Sequence, residues 1–290
     1  MDNLRGAFLM TLAMAGFAAE DALIKALSAS WPPGQVILFI GALGAPVFAV
    51  MARAQGLPLL SRALAHPAIL ARCLMEMLGT LCFVSALALI PLSLASAILQ
   101  AAPLLVTLGA ALFLGEAVGW RRWTAILVGL VGVLLILRPG TDAFEPAAIL
   151  AILGTLGLAG RDIAVRRVPP ATPSIQLAWL GFLSIIPAGL LLMAFDGVGT
   201  AALDTQTLPR ALAAVVVGLL AYYAIVQATR IGEISVVTPF RYTRLVFALV
   251  IGVIFFAERP DALTLTGAAI VVASGLYTLA REARLKRRAA

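Results

Sequence analysis

Two arginines and a tyrosine stand inside a stretch otherwise apolar enough to cross a bilayer. The run from Ser235 to Glu258 reads SVVTPFRYTRLVFALVIGVIFFAE, with Arg241, Tyr242 and Arg244 in its first half. At about 1.5 Å of rise per residue through a ~30 Å hydrocarbon core, a helix entering near Ile234 carries Arg244 close to the midplane. Charges at that depth are expensive and face a water-filled cavity or a partner inside a bundle. Three residues apart on a helix, the two arginines share a face and repel, so water, carboxylates or a substrate must compensate each of them.

Other polar residues recur at similar depth. Glu20 and Asp21 lie well inside the first apolar run, and Arg161 and Asp162 inside the sixth. Asp21 with Lys25 and Asp162 with Arg166 are spaced i,i+4, which makes them structural ion pairs along one helix face. Glu20 and Arg161 have no such neighbour and are candidate substrate ligands. Arg72 and Glu76 are also i,i+4. Arg72 is near enough to the membrane surface to snorkel. Glu76 is deeper and is the expected cross-bundle partner of Arg244. Glu20 and Glu76 are the acids through which proton coupling would run. Gln100, Tyr222, Tyr223, Gln227 and Tyr242 add uncharged hydrogen bonds and aromatic faces. The single histidine, His66, sits in a polar connection, and Cys73 and Cys82 fit no metal motif. No metal and no cofactor is expected. Without a His cluster, a Gly-x-Ser-x-Gly turn or an Asp-rich loop, a lipid-modifying enzyme has no support.

These residues are positioned by helices. The chain is 62% hydrophobic and 12% charged over 290 residues, outside the range of soluble domains. Ten apolar stretches run approximately 5–28, 34–53, 67–89, 93–114, 120–138, 147–167, 174–195, 209–229, 234–256 and 263–281. They are twice the length of barrel strands and lack alternation, so they are read as an all-α membrane bundle. Pro103 and Pro239 lie inside spans and should kink them. Glu116 and Glu258 end their spans and read as structural. The formal charge of +7 gathers at alternate span ends and in the tail Arg281, Arg284, Lys286, Arg287 and Arg288. The opposite ends keep Lys25, Arg138, Arg210 and Arg259. That asymmetry is a membrane-topology signal rather than a nucleic-acid footprint, and it puts both termini in the cytoplasm of a bacterial inner-membrane protein.

The two halves repeat. A shift of 141 residues lays Asp21 on Asp162, Lys25 on Arg166, Gln35 on Gln176 and Pro46 on Pro187. After one extra residue the shift becomes 142, and Pro67 meets Pro209, Ser93 meets Ser235 and Glu116 meets Glu258. Two units follow, 1–140 and 141–290. Each has five spans, an odd number, so the second is inverted, the architecture of alternating-access carriers.

The fourth and fifth spans, ILQAAPLLVTLGAALFLGE and WRRWTAILVGLVGVLLILRP, echo in VFALVIGVIFFAERPD and LTGAAIVVASGLYTL. In these runs and in the duplication the sequence resembles the ten-helix EamA-type branch of the drug/metabolite transporter superfamily. The resemblance implies a cavity lined by the first, third, fourth, sixth, eighth and ninth spans. It makes the fifth and tenth structural, with a homodimer contact. AGFAAEDALIKAL in the first span and TPFRYTRL in the ninth look like members assigned to S-adenosylmethionine or riboflavin uptake. The former carry an acid where Arg244 stands, which points away from a simple cation. The expected function is transport of a small polar metabolite, zwitterionic or polar aromatic. Export of amino acids or drugs is the alternative.

Overall fold

A computed structural model describes residues 2–115, 119–197 and 199–289, with the side chains of 234, 235 and 282–289 left aside. Glu116 lies outside the described residues. Ten helical spans are long and apolar enough to cross a membrane: Asp2–Leu27, Pro33–Ala54, Pro67–Leu89, Leu92–Phe113, Trp120–Leu137, Ala148–Val165, Ser174–Asp196, Thr207–Ile231, Thr238–Phe256 and Ala262–Arg281. The described residues contain no strand.

Two spans are broken, and both breaks fall beside the expected prolines. The fourth consists of helices Leu92–Leu99 and Ala102–Phe113, parted around Gln100 with Pro103 just inside the second. The ninth begins with a short turn, Ile234–Val237, passes through a tighter 3-10 segment, Thr238–Tyr242, and resumes as Thr243–Phe256. A proline ring removes one N–H and crowds the preceding turn, so the ladder reopens there. Gln100 Nε2 donates to the backbone oxygen of Tyr242 at 3.1 Å. Residues 100 and 242 correspond under the 142-residue shift, so the two interruptions meet at their equivalent position.

Two compact units divide the chain, and they cut across the sequence repeats. One holds residues 1–22, 90–149 and 216–290; the other holds 23–89 and 150–215. In the second unit the second and seventh spans, which are repeat equivalents, pack through glycines. A Cβ on Gly189 would lie 2.6 Å from the oxygen of Gly34, and one on Gly34 2.8 Å from the oxygen of Gly189. In the first unit the equivalent fifth and tenth spans do the same, with a Cβ on Gly267 2.6 Å from the oxygen of Gly132. Lipid tails provide no hydrophobic drive between helices, so the close approach that small residues allow carries the association.

Buried glutamines tie down the connections of the second unit. Gln35 donates to the oxygen of Ala201 at 3.0 Å and accepts from its N–H at 2.7 Å. Its repeat equivalent, Gln176, donates to the oxygen of Pro58 at 2.7 Å. In the first unit Ala257 adopts a left-handed turn (φ 52°) and Glu258 N–H returns to the oxygen of Gly252 at 3.0 Å. That turn carries the Glu258 carboxylate to the N-terminal end of the fourth span, where it accepts from Leu92 N–H at 2.6 Å and Ser93 N–H at 2.9 Å. A carboxylate there satisfies two orphan donors and complements the helix dipole. Glu258 is structural, as its position implied.

Candidate functional site: two charged clusters at bilayer depth

In the first compact unit the cluster is built on the first span. Gly16 lets it approach the eighth closely: a Cβ there would sit 2.8 Å from the Cβ of Ala221. One turn on, Asp21 is buried at 4% exposure and accepts from Arg244 Nη2 at 2.6 Å and Nε at 3.1 Å. The same guanidinium lies over the ring of Phe17, 5.3 Å from its centroid. Arg244 is thus held by a two-donor contact with a carboxylate and by an aromatic face, both from the first span.

Glu20, next to Asp21, makes no hydrogen bond or ion pair with the described residues. Its charged neighbours are Asp21 and Arg244. Across from it stands Gly218 on the eighth span, and a Cβ at that glycine would run into the Glu20 carboxylate. Tyr222, one turn beyond Gly218, shares that helix face and is half-buried. Tyr223 is 56% exposed on a different face, which takes it away from the contact with the first span. Gln227 and Arg241 are half-buried. Arg241 lies in the 3-10 segment and Arg244 in the α-helix that resumes after it. Tyr242 is buried; its hydroxyl has no hydrogen-bond partner among the described residues and seats against Gly275, where a Cβ would collide with it.

The cluster of the second compact unit joins the third and sixth spans. Arg161 Nη1 pairs with Glu76 Oε1 at 2.9 Å, and its Nε and Nη2 both reach Asp162 Oδ1 at 2.9 Å. The other Glu76 oxygen accepts from Arg72 Nη2 at 3.3 Å. The helices touch through backbone: a Cβ on Gly157 would lie 2.6 Å from the Cα of Gly79, and one on Gly160 2.9 Å from the sulfur of Met75.

Three expectations change. Asp21 is held by Arg244 through two guanidinium donors from a packed span, a partner that i,i+4 spacing does not offer; Lys25 Nζ donates to the oxygen of Leu87 at 3.2 Å. Glu76 is taken by Arg161 and Arg72 rather than by Arg244. Arg72 does not snorkel. It is 7% exposed, and its Nε and Nη1 have no hydrogen-bond partner among the described residues. For Asp162 the neighbouring Arg161 supplies a partner besides the one expected from Arg166. Sequence reasoning missed Phe17 and Gly218. The repeat could have exposed Gly218, since it is the equivalent of Glu76 just as Glu20 is the equivalent of Arg161.

The family model of the EamA-like transporter family matches the chain twice, over residues 4–138 and 145–280. The pseudopaline exporter CntI of Pseudomonas aeruginosa (strain UCBPP-PA14) is 30% identical over 268 residues, 92% of this chain and 93% of that protein. A riboflavin transporter of Rhizobium johnstonii is 32% identical over 225 residues, 76% and 72% of the two chains. An S-adenosylmethionine uptake transporter of Rickettsia bellii is 25% identical over 198 residues, 68% and 66% of the two. A protein of known crystal structure aligns with a TM-score of 0.61 at 19% identity, covering 96% of this chain and 97% of the other. That likeness is one of fold.

Proposed function

The chain belongs to the EamA-like transporter family, and on that premise we propose that it carries a zwitterionic, amino-acid-derived or polar aromatic metabolite by alternating access. It is a multi-pass membrane protein that transports a small metabolite, not an enzyme. The observation that carries the finer reading is the cluster of Glu20, Asp21, Arg244 and Phe17. One carboxylate has no hydrogen-bond or ion-pair partner among the described residues, one guanidinium is oriented, and an aromatic face lies within one turn. A cargo bearing both charges, or a polar ring, matches such a mixture better than an apolar drug or a simple cation. The names of the relatives span the same chemistry, from S-adenosylmethionine to riboflavin. The basic tail and the other Arg-rich span ends favour a bacterial inner membrane with both termini cytoplasmic.

Export is the second reading, supported by the similarity to the pseudopaline exporter over 92% of the chain. Both readings are tested with purified protein in proteoliposomes. Uptake and efflux of radiolabelled S-adenosylmethionine, riboflavin and amino acids are measured with and without a pH gradient. Saturable flux of one member that the others compete for supports the proposal. Flux of apolar drugs alone would overturn it.

A further inference from the structure

The repeat supplies an internal control for Glu20. In the second unit the position equivalent to Glu20 is Arg161, and the position equivalent to Gly218 is Glu76; those two form a 2.9 Å ion pair. The helices that carry both pairs approach in the same register, Gly16 against Ala221 in one and Gly157 against Gly79 in the other. One scaffold therefore closes its electrostatic contact in the second unit and leaves it open in the first. The open member is a carboxylate at bilayer depth, where an uncompensated charge is costly. Arg244, the nearest base, is already engaged with Asp21 through Nη2 and Nε. Glycine at 218 leaves room for the Glu20 carboxylate itself, which occupies the space a side chain there would take.

Resting on the transport reading above, we infer that the Glu20–Gly218 step is the subsite for the ammonium group of a zwitterionic cargo. Glu20 receives the amine, and Gly218 is the specificity-determining residue, since only a residue without a Cβ leaves the Glu20 carboxylate the space it occupies. The cargo's cation supplies the countercharge that a partner side chain supplies in the other repeat. A protonated Glu20 would also relieve the charge, so the experiment must separate the two sources.

Full-length protein in detergent is labelled with dicyclohexylcarbodiimide, and modification of Glu20 is read by mass spectrometry. Competitors are S-adenosylmethionine and methionine, which carry an amine, against N-acetylmethionine and riboflavin as amine-free controls. Amine-bearing probes should slow the labelling, and the controls should not. Glu20→Gln should lower affinity for the amine-bearing probes by at least about tenfold, the loss of one charge-assisted hydrogen bond. Gly218→Ala, which keeps the charge but crowds it, should do the same. The double change Glu20→Arg with Gly218→Glu rebuilds the ion pair of the second unit and should leave a well-folded protein that no amine recognises. Labelling of Glu20 that no amine affects overturns the subsite. If labelling then follows pH alone and Glu20→Gln abolishes coupling to a pH gradient, Glu20 is a proton carrier instead. Amine protection without flux of any metabolite would keep the subsite and remove the transport reading.

Discussion

The first and eighth spans meet in one compact unit as the sixth and third meet in the other, yet the two contacts are finished differently. Both begin with a small residue against a small residue: Gly16 on Ala221, Gly157 on Gly79. One helical turn on, the second unit has Arg161 on Glu76, with Asp162 and Arg72 completing a chain of two acids and two bases. The first unit has Glu20 against a glycine, and its one engaged arginine comes from elsewhere, the broken ninth span. Duplication thus repeats what backbones need for close packing and leaves charge free to diverge. The balanced cluster is built like a structural brace, the unbalanced one like a receptor.

Removing one charge from each cluster's network should break this comparison most visibly. Arg244→Ala leaves Asp21 buried beside a Glu20 that already has no hydrogen-bond or ion-pair partner among the described residues. Stripping one partner from a buried pair costs about 3–5 kcal/mol, so a large fall in melting temperature is expected, with loss of cargo binding. Because that variant can unfold, Asp21→Asn with Arg244→Gln is the cleaner probe: stability should return and binding should not. Glu76→Gln should cost less, about 1.5–3 kcal/mol, because the amide oxygen still accepts a hydrogen bond and Arg161 keeps Asp162, leaving only the charge of buried Arg72 uncompensated. Parent-like affinity in the restored double variant would show that Arg244 serves structure alone.

How much of this was legible beforehand follows from the range of each interaction. The ten spans, the duplication and the breaks beside Pro103 and Pro239 depend on local hydropathy and backbone chemistry, which any stretch of sequence displays. Partner choice does not. The i,i+4 rule assigned Asp21 to Lys25 because it sees only one helix, whereas the structure brings Arg244 from 223 residues away. Arg72 was read as an interfacial side chain from its depth alone, but its burial depends on the seventh span, where a Cβ on Gly181 would sit 3.2 Å from its guanidinium nitrogens. Gly218 has no side chain to attract notice. Its meaning emerges only once the shift of 142 residues sets it against Glu76.

The packing half of the comparison predicts an intermediate effect. At Gly157 an added methyl meets the Cα and N of Gly79, backbone that cannot rotate aside, so the third and sixth spans must separate. At Gly16 the methyl meets chiefly the Cβ of Ala221. Overpacking costs about 1–3 kcal/mol, and Gly157→Ala should lie at the upper end and Gly16→Ala at the lower. Thermal unfolding of the two in the same detergent checks the order. Equal melting temperatures would mean that the two contacts are mechanically alike.

The smallest effect is expected where the fifth and tenth spans begin, at equivalent positions Gly119 and Asp261. Gly119 offers no side chain to the fifth helix. Asp261 accepts from Thr264 N–H at 2.8 Å, and Arg138, whose Nη2 also donates to Thr264 Oγ1 at 3.1 Å, pairs with its carboxylate. Asp261 lies outside the spans, and the Arg138 hydrogen bond, followed by the one from Thr264, holds its carboxyl well below the usual range. A depressed carboxyl stabilises the folded state above its unfolded value of about 3.9 and loses that contribution as pH falls toward the folded value. Asp261→Asn keeps a capping oxygen and removes the charge, so it isolates the ion pair from the cap. Its side chain is 52% exposed, and exposed pairs contribute at most about 1 kcal/mol. The parent should therefore melt slightly above Asp261→Asn at pH 7, and the gap should close as the pH is lowered below 4. A gap that is constant with pH would assign the stabilisation to capping geometry, and the tenth span would then differ from the fifth only in having a side chain to cap it.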